Sequence, residues 1–334
     1  MKTRTALAQP ALGVAGTILV VPVALLVAFG AGSAESSVLV MGPLATFGLP
    51  LIAMIAFWWE DWPGTTLRRQ EWSGWADTVL VIAGAVVLTV AGQAIVDHLD
   101  VRGVFEPNPG AAHAPTFPQA MPLAASAFVA MLELTLVSEG WPLRRLGQLR
   151  AGVVALAISW AAGLAVYWLV DRTGLLTGAP LGALLVSIGV WQVLLFVVLQ
   201  GWPLSEVRSQ ALRLVTANAV VIGGGWLTYV VLHRAAGWHA PTISATGGAV
   251  VAGGLLVGML FEGWPGVGDA RGRAVTLAAV AAVSAVIYAV LTAYADRIDW
   301  VRAEPADWVA HAGLSAIGAG VILHVGIGRR RPFA

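Results

Sequence analysis

The sequence predicts an all-α polytopic membrane protein, with ten transmembrane helices arranged as five tandem parallel α-hairpin repeats. Three observations carry that expectation. Only 11% of the 334 residues are charged and 58% are hydrophobic, against roughly 25% charged in a soluble domain. Ten apolar runs of membrane-crossing length follow one another. A Trp-Pro tetrapeptide recurs four times, each time after an apolar run and before arginines.

A surface this poor in charge cannot be wetted, so the expected solvent is lipid, and the bilayer is the first partner. The net charge of +1 gives no reason to expect nucleic acid. The chain contains no cysteine, which excludes disulfides, thiolate metal sites and thiol catalysis. The basic start and apolar run of "MKTRTALAQPALGVAGTILVVPVALLVAFG" has the look of a secretory leader. Its run is longer than a usual leader core and many similar runs follow, so it is read as the first membrane helix. Cleavage after "AGSA" is the other reading of that segment.

A helix needs about 20 apolar residues to cross the hydrocarbon core. Runs at about 11–31, 37–59, 75–96, 118–138, 151–170, 180–199, 214–233, 242–261, 273–295 and 306–327 meet that length. Lipid cannot satisfy backbone polar groups, so each is a helix. Orientation follows from the basic residues. Lys2, Arg4, Arg68, Arg69, Arg144, Arg145, Arg150, Arg208, Arg213, Arg271, Arg273, Arg329, Arg330 and Arg331 fall at the termini or after even-numbered runs. Arg102, Arg172, Arg234, Arg297 and Arg302 follow odd-numbered runs. Fourteen of the nineteen therefore share one side, which predicts an inner-membrane protein with both termini cytoplasmic.

The tetrapeptides are Glu60-Asp61-Trp62-Pro63, Glu139-Gly140-Trp141-Pro142, Gln200-Gly201-Trp202-Pro203 and Glu262-Gly263-Trp264-Pro265. They divide a single membrane domain, 1–334, into units at about 1–70, 71–149, 150–212, 213–272 and 273–334. The fifth ends in "LHVGIGRRRPFA", where only the basic and Pro elements remain. Each unit reads as a helix out, an acidic outer turn, a helix back and the tetrapeptide. Trp suits the headgroup level, Pro ends the span, and Gly before Trp suits a helix C-terminal cap. An acid at a helix C-terminus opposes the dipole and costs on the order of 0.3–1 kcal/mol unless a cation offsets it. Glu60, Glu139 and Glu262 are therefore read as staples to arginines of neighbouring units, with Gln200 as their uncharged equivalent. An acidic vestibule for cations and a docking surface for partner membrane subunits are the competing readings.

Two further groups stand out. Glu133, in "AMLELTLV", is an acid inside a span, a functional candidate by default. The plainer reading is a bridge between two helices. His98, His233, His239 and His311, helped by Asp97 or Asp307, map toward the outer side, and imidazole with carboxylate suits zinc or copper. No single segment supplies enough ligands, so such a site requires assembly across hairpins.

The first functional expectation is a permeation or carrier protein for a small solute or ion. One alternative is a membrane subunit holding a metal or redox cofactor at its outer face within a larger complex. The other is a structural or assembly factor.

Overall fold

A computed structural model describes residues 7–30, 32–67, 72–176, 178–266 and 268–333. Lys2, Arg4, Arg68 and Arg69, which contribute to the orientation argument, lie outside the described residues. Those described form helices and turns, with no strand among them.

Among the described residues nine helices are long and apolar enough to cross a bilayer: α1 (Ala11–Phe29), α2 (Ala34–Trp58), α3 (Ser73–Val96), α5 (Gln148–Asp171), α6 (Gly178–Val198), α7 (Gln210–Ala235), α8 (Ala240–Leu260), α9 (Ala270–Ala295) and α10 (Pro305–Ile327). They fit a multi-pass membrane protein. The remaining apolar helix, α4 (Met121–Val137), is shorter. It starts later than the run at 118–138 implies, because Thr116 and the segment before Met121 fold back on Gly103 as turns.

The helices sort into two layers. Between 56% and 67% of the best spanning window is buried in α2, α6, α8 and α10, against 22% to 28% in α1, α3, α5, α7 and α9. The even-numbered helices are the inner layer. α2 packs on α4, α4 on α6, α6 on α8, α8 on α10, and α10 returns to α2. Small residues permit this closeness in a medium where packing, not water exclusion, drives association. A Cβ placed on Gly313 of α10 would lie 2.9 Å from the backbone of Gly248 on α8. The hydroxyls of Thr46, Thr89, Thr135 and Ser187 each donate to the carbonyl four residues earlier, whereas those of Ser73, Ser126 and Ser284 are buried without a partner among the described residues.

The odd-numbered helices lie outside. α3 packs on α2, α5 on α4, α7 on α6 and α9 on α8, while α1 packs on α10. The closest-packed consecutive pairs are thus those joined through a tetrapeptide, not those joined across the opposite rim. The tetrapeptide is the turn of each of these tightly packed pairs. Alternation of apolar residues could not reveal the difference, because both faces of a lipid-immersed helix are apolar.

The rim opposite the tetrapeptides is tied by polar contacts. Glu35 Oε1 accepts from the N–H groups of Val301, Arg302 and Ala303 at 2.8, 2.6 and 3.1 Å. Arg302 donates to the Pro107 carbonyl at 2.9 Å and to Asn108. The long connection between α3 and α4 is folded around Asp100, which accepts from the N–H groups of Gly103 and Ala114 and from His113. Burial acts to raise the Asp100 pKa, but those three donors outweigh it and hold the carboxyl down to about 2.

Candidate functional site

Each inner helix ends the same way. Its last turn widens, so that Trp59, Ser138, Leu199, Phe261 and Gly328 donate to carbonyls five residues back at 2.6–2.9 Å. The next bond spans six residues, from Asp61, Gly140, Gly201, Gly263 and Arg330, at 2.7–3.0 Å. Such bonds satisfy carbonyls that a helix end otherwise leaves orphaned. Two consecutive residues are left-handed to make the turn: φ is 49–55° at Glu60, Glu139, Gln200, Glu262 and Arg329. It is 58–83° at Asp61, Gly140, Gly201, Gly263 and Arg330. Glycine fills the second position three times because it adopts positive φ without cost. The fifth segment, Arg329-Arg330-Arg331-Pro332, therefore keeps the backbone of the motif after losing its Glu, Gly and Trp. The peptide before each of the five prolines is cis.

This rim carries a set of links between neighbours. Arg213, in the first turn of α7, forks onto Glu139 with Nε–Oε1 2.6 Å and Nη2–Oε2 2.8 Å. Arg273, in the first turn of α9, lies over the Trp202 ring, 4.6 Å from its centroid. Arg330 pairs with Glu262 and donates to the Met259 carbonyl at 3.0 Å. Arg329 pairs with Asp61 at 2.6 Å. Gln148, opening α5, donates to the Trp59 carbonyl at 2.7 Å. The bidentate Arg213–Glu139 geometry fixes the relative placement of the two helices more than it stabilises them, because solvent screens an exposed pair.

Two tetrapeptide residues, Glu60 and Gln200, behave differently from the sequence expectation. Glu60 is exposed, and its neighbour Asp61 is the buried acid that takes the arginine. Burial pushes the Asp61 carboxyl above the ordinary aspartate range, the Glu60 charge acts the same way, and Arg329 opposes both. Gln200 is exposed, and the link at its motif passes through Trp202. Trp202 also donates to Glu206 at 2.9 Å. Trp62 is half-buried against Trp59, ring centroids 5.1 Å apart, whereas Trp141 and Trp264 are exposed. Pro63, Pro142, Pro203 and Pro265 close their turns.

The seam between α4 and α6 differs from the others in polarity. Gln192 is wholly buried and its Nε2 donates to Glu133 Oε2 at 2.6 Å and to the Val129 carbonyl at 3.1 Å. Glu133 thus bridges two inner helices, with an amide and not an arginine as its partner. Two buried oxygens, Glu133 Oε1 and Gln192 Oε1, have no partner among the described residues. Glu133 opens the widened turn Glu133–Val137, and later residues of that turn wall a cavity of about 490 Å³ at the tetrapeptide rim. Its polar wall is Thr135, Glu139, Arg144, Gln200, Ser205 and Arg213; Val137, Phe196 and Leu204 supply its apolar side. Arg144 lies back over Gly140, where a Cβ would come within 2.6 Å of its Nε.

The histidines and acids expected to hold a metal are spread over separate partners. His98 pairs with Asp97 at 3.1 Å on the surface. His233 meets the Trp238 carbonyl at 2.9 Å and stacks on Tyr229. His239 is exposed ahead of α8. Asp307 closes a capping box with Glu304 at the start of α10. His311 is buried within α10, its Nε2 3.2 Å from Ser37 Oγ. Among the described residues no three His, Cys, Asp or Glu side chains converge as a metal site.

No family model matches the chain, and no curated protein or solved structure matches it. Function is therefore argued from geometry. Two groups at this rim escaped sequence reasoning. Asp77, buried in α3, accepts from the Gly64 N–H at 2.8 Å and fixes the turn after the first tetrapeptide; an acid in the first turn of an apolar run was its signal. Arg329 and Arg330 act as the fifth motif, and the retained Arg-Pro step was theirs.

Proposed function

We propose that the chain is a carrier for a small polar solute, with its binding site at the seam of α4 and α6. Five tandem units, ten spans in all, are related by rotation about the membrane normal. The tetrapeptide face and both termini are cytoplasmic, in an inner membrane. The observation that carries the reading is the Glu133–Gln192 pair, two buried polar side chains with unpartnered oxygens beside a rim cavity of mixed polarity. Burying such groups in lipid without full satisfaction is costly, so their presence calls for a use. The cavity opens at the rim and the Arg213–Glu139 fork lines it, while Glu133 and Gln192 lie about one turn deeper along the same two helices, beyond its lining.

Osmotic swelling tests the carrier. Proteoliposomes diluted into isosmotic glycerol, urea, glycine or ammonium acetate should swell faster than protein-free vesicles with at least one probe. Glu133→Leu should remove that excess. Swelling equal to protein-free vesicles with all four probes would sink the carrier reading.

Orientation is tested separately, and the absence of native cysteine makes the assay clean. Leu146→Cys beside the second tetrapeptide and Leu175→Cys on the opposite rim are both at exposed positions. In intact cells an impermeant maleimide should label residue 175 and spare residue 146. The reverse pattern would invert the topology.

A further inference from the structure

A second concavity lies elsewhere, on the lipid-facing flank where the inner ring closes. Between α1 and α3, floored by α2 and α10, lies a cavity of about 630 Å³. Its wall is almost wholly apolar, and small residues such as Ala45, Gly48, Ala316 and Ala319 give it depth. Thr78 and Ser315 are the few polar side chains part-way along, and both are occupied locally: Thr78 donates to the Gly74 carbonyl and Ser315 meets Thr46. The tetrapeptide end is different. There His324 and Arg331 line the cavity, and His324 Nε2 is buried without a partner among the described residues. No acidic side chain lines the cavity among the described residues.

Its length is informative. Along α10 the lining runs from Ser315 to Gly328, thirteen residues or about 20 Å at 1.5 Å per residue. Half of a bilayer, with its headgroup zone, is about 20 Å. The groove thus spans one leaflet, apolar through its depth and cationic at headgroup level. An arginine presents five N–H donors that suit phosphate oxygens, and basic pockets between membrane helices near the rim are fitted to anionic headgroups.

We propose that this groove is a binding site for one anionic phospholipid of the tetrapeptide-side leaflet. An acyl chain lies between α1 and α3, and its phosphate sits against Arg331 and His324. The proposal does not depend on the carrier reading, since it concerns a different seam.

Native mass spectrometry of the purified full chain in mild detergent tests it, after incubation with palmitoyl-oleoyl phosphatidylglycerol or phosphatidylcholine. The wild-type chain should retain phosphatidylglycerol preferentially. Arg331→Gln, at a half-buried position, should lose that preference, with retention about tenfold weaker, the scale of 1.4 kcal/mol. Ala45→Phe should fill the groove and lose both lipids, while its helical circular dichroism and melting report whether it is folded. Equal retention of the two lipids by the wild type would overturn the proposal. So would unchanged phosphatidylglycerol retention in Arg331→Gln, or an uncharged isoprenoid as the co-purifying occupant.

Discussion

Trp308→Ala should destabilise the protein by about 3–5 kcal/mol, the cost of emptying a buried tryptophan site. Trp308 is fully buried at the start of α10. Its ring lies against Phe29 of α1 and Tyr294 of α9, with centroids 5.9 and 5.1 Å away, and near Trp300 at 6.5 Å. Its Nε1 donates to the Ala28 carbonyl at 2.8 Å. One side chain therefore fastens the last inner helix to two outer ones, and its loss opens a cavity where three helices meet. Trp308→Phe keeps most of that packing and forfeits the hydrogen bond, which costs about 1 kcal/mol. Unfolding in detergent by graded denaturant, followed by circular dichroism, should rank wild type above Trp308→Phe above Trp308→Ala. A Trp308→Ala midpoint within error of wild type would show that α1 is held by other contacts.

The second large effect concerns the α4–α6 seam. Gln192→Leu should cost about 1–3 kcal/mol or more, because it strips a buried carboxyl of its donor. Removing both members, Glu133→Leu with Gln192→Leu, should cost less than the sum of the single changes. A coupling of roughly 0.5–3 kcal/mol is expected for groups in direct contact. The double-mutant cycle in the same denaturant assay measures it. Additivity to within about 0.5 kcal/mol would mean that the pair does not act as a unit, and the proposed binding site would lose its basis.

These residues also mark how far the sequence could be read. The helices were legible, because a run of apolar residues in lipid has no other stable form. The tetrapeptide was legible as a helix terminator, since Trp, Pro and Gly each have a positional meaning there. Its acid was less so. Glu139 and Glu262 do meet arginines, but at the first motif Asp61 takes the arginine and Glu60 faces out. Adjacent acids in a left-handed turn point in different directions, and only the backbone decides which is inward. The layering was not legible. Nothing in the composition of α8 and α9 distinguishes inner from outer except the glycine density of α8, and glycine serves packing and turns alike. Glu133 was visible as an exception, but its partner Gln192 is 59 residues away. Only ring packing brings them together. The histidines illustrate the converse. His311 and Asp307 share a helix, yet one is buried against Ser37 and the other caps the helix start.

The seating of α1 sets a timetable for synthesis. Its buried stripe, Gly13, Gly16, Val20, Ala24 and Ala28, is received by α10, by the start of α2 and by the end of α8. Ala28 is 280 residues ahead of the tryptophan that takes its carbonyl. At about 5–20 residues per second a ribosome needs roughly 14–56 s to deliver that partner. This helix is thus among the last to be fully packed, and until then α2 is its neighbour within the chain. Its sequence tolerates the wait. Ala11–Phe29 contains no charged side chain, and its single hydroxyl, Thr17, donates to its own Gly13 carbonyl at 2.8 Å. A helix with nothing to hide from the bilayer can remain without its neighbours, and this frees the remaining units to assemble in the order they emerge.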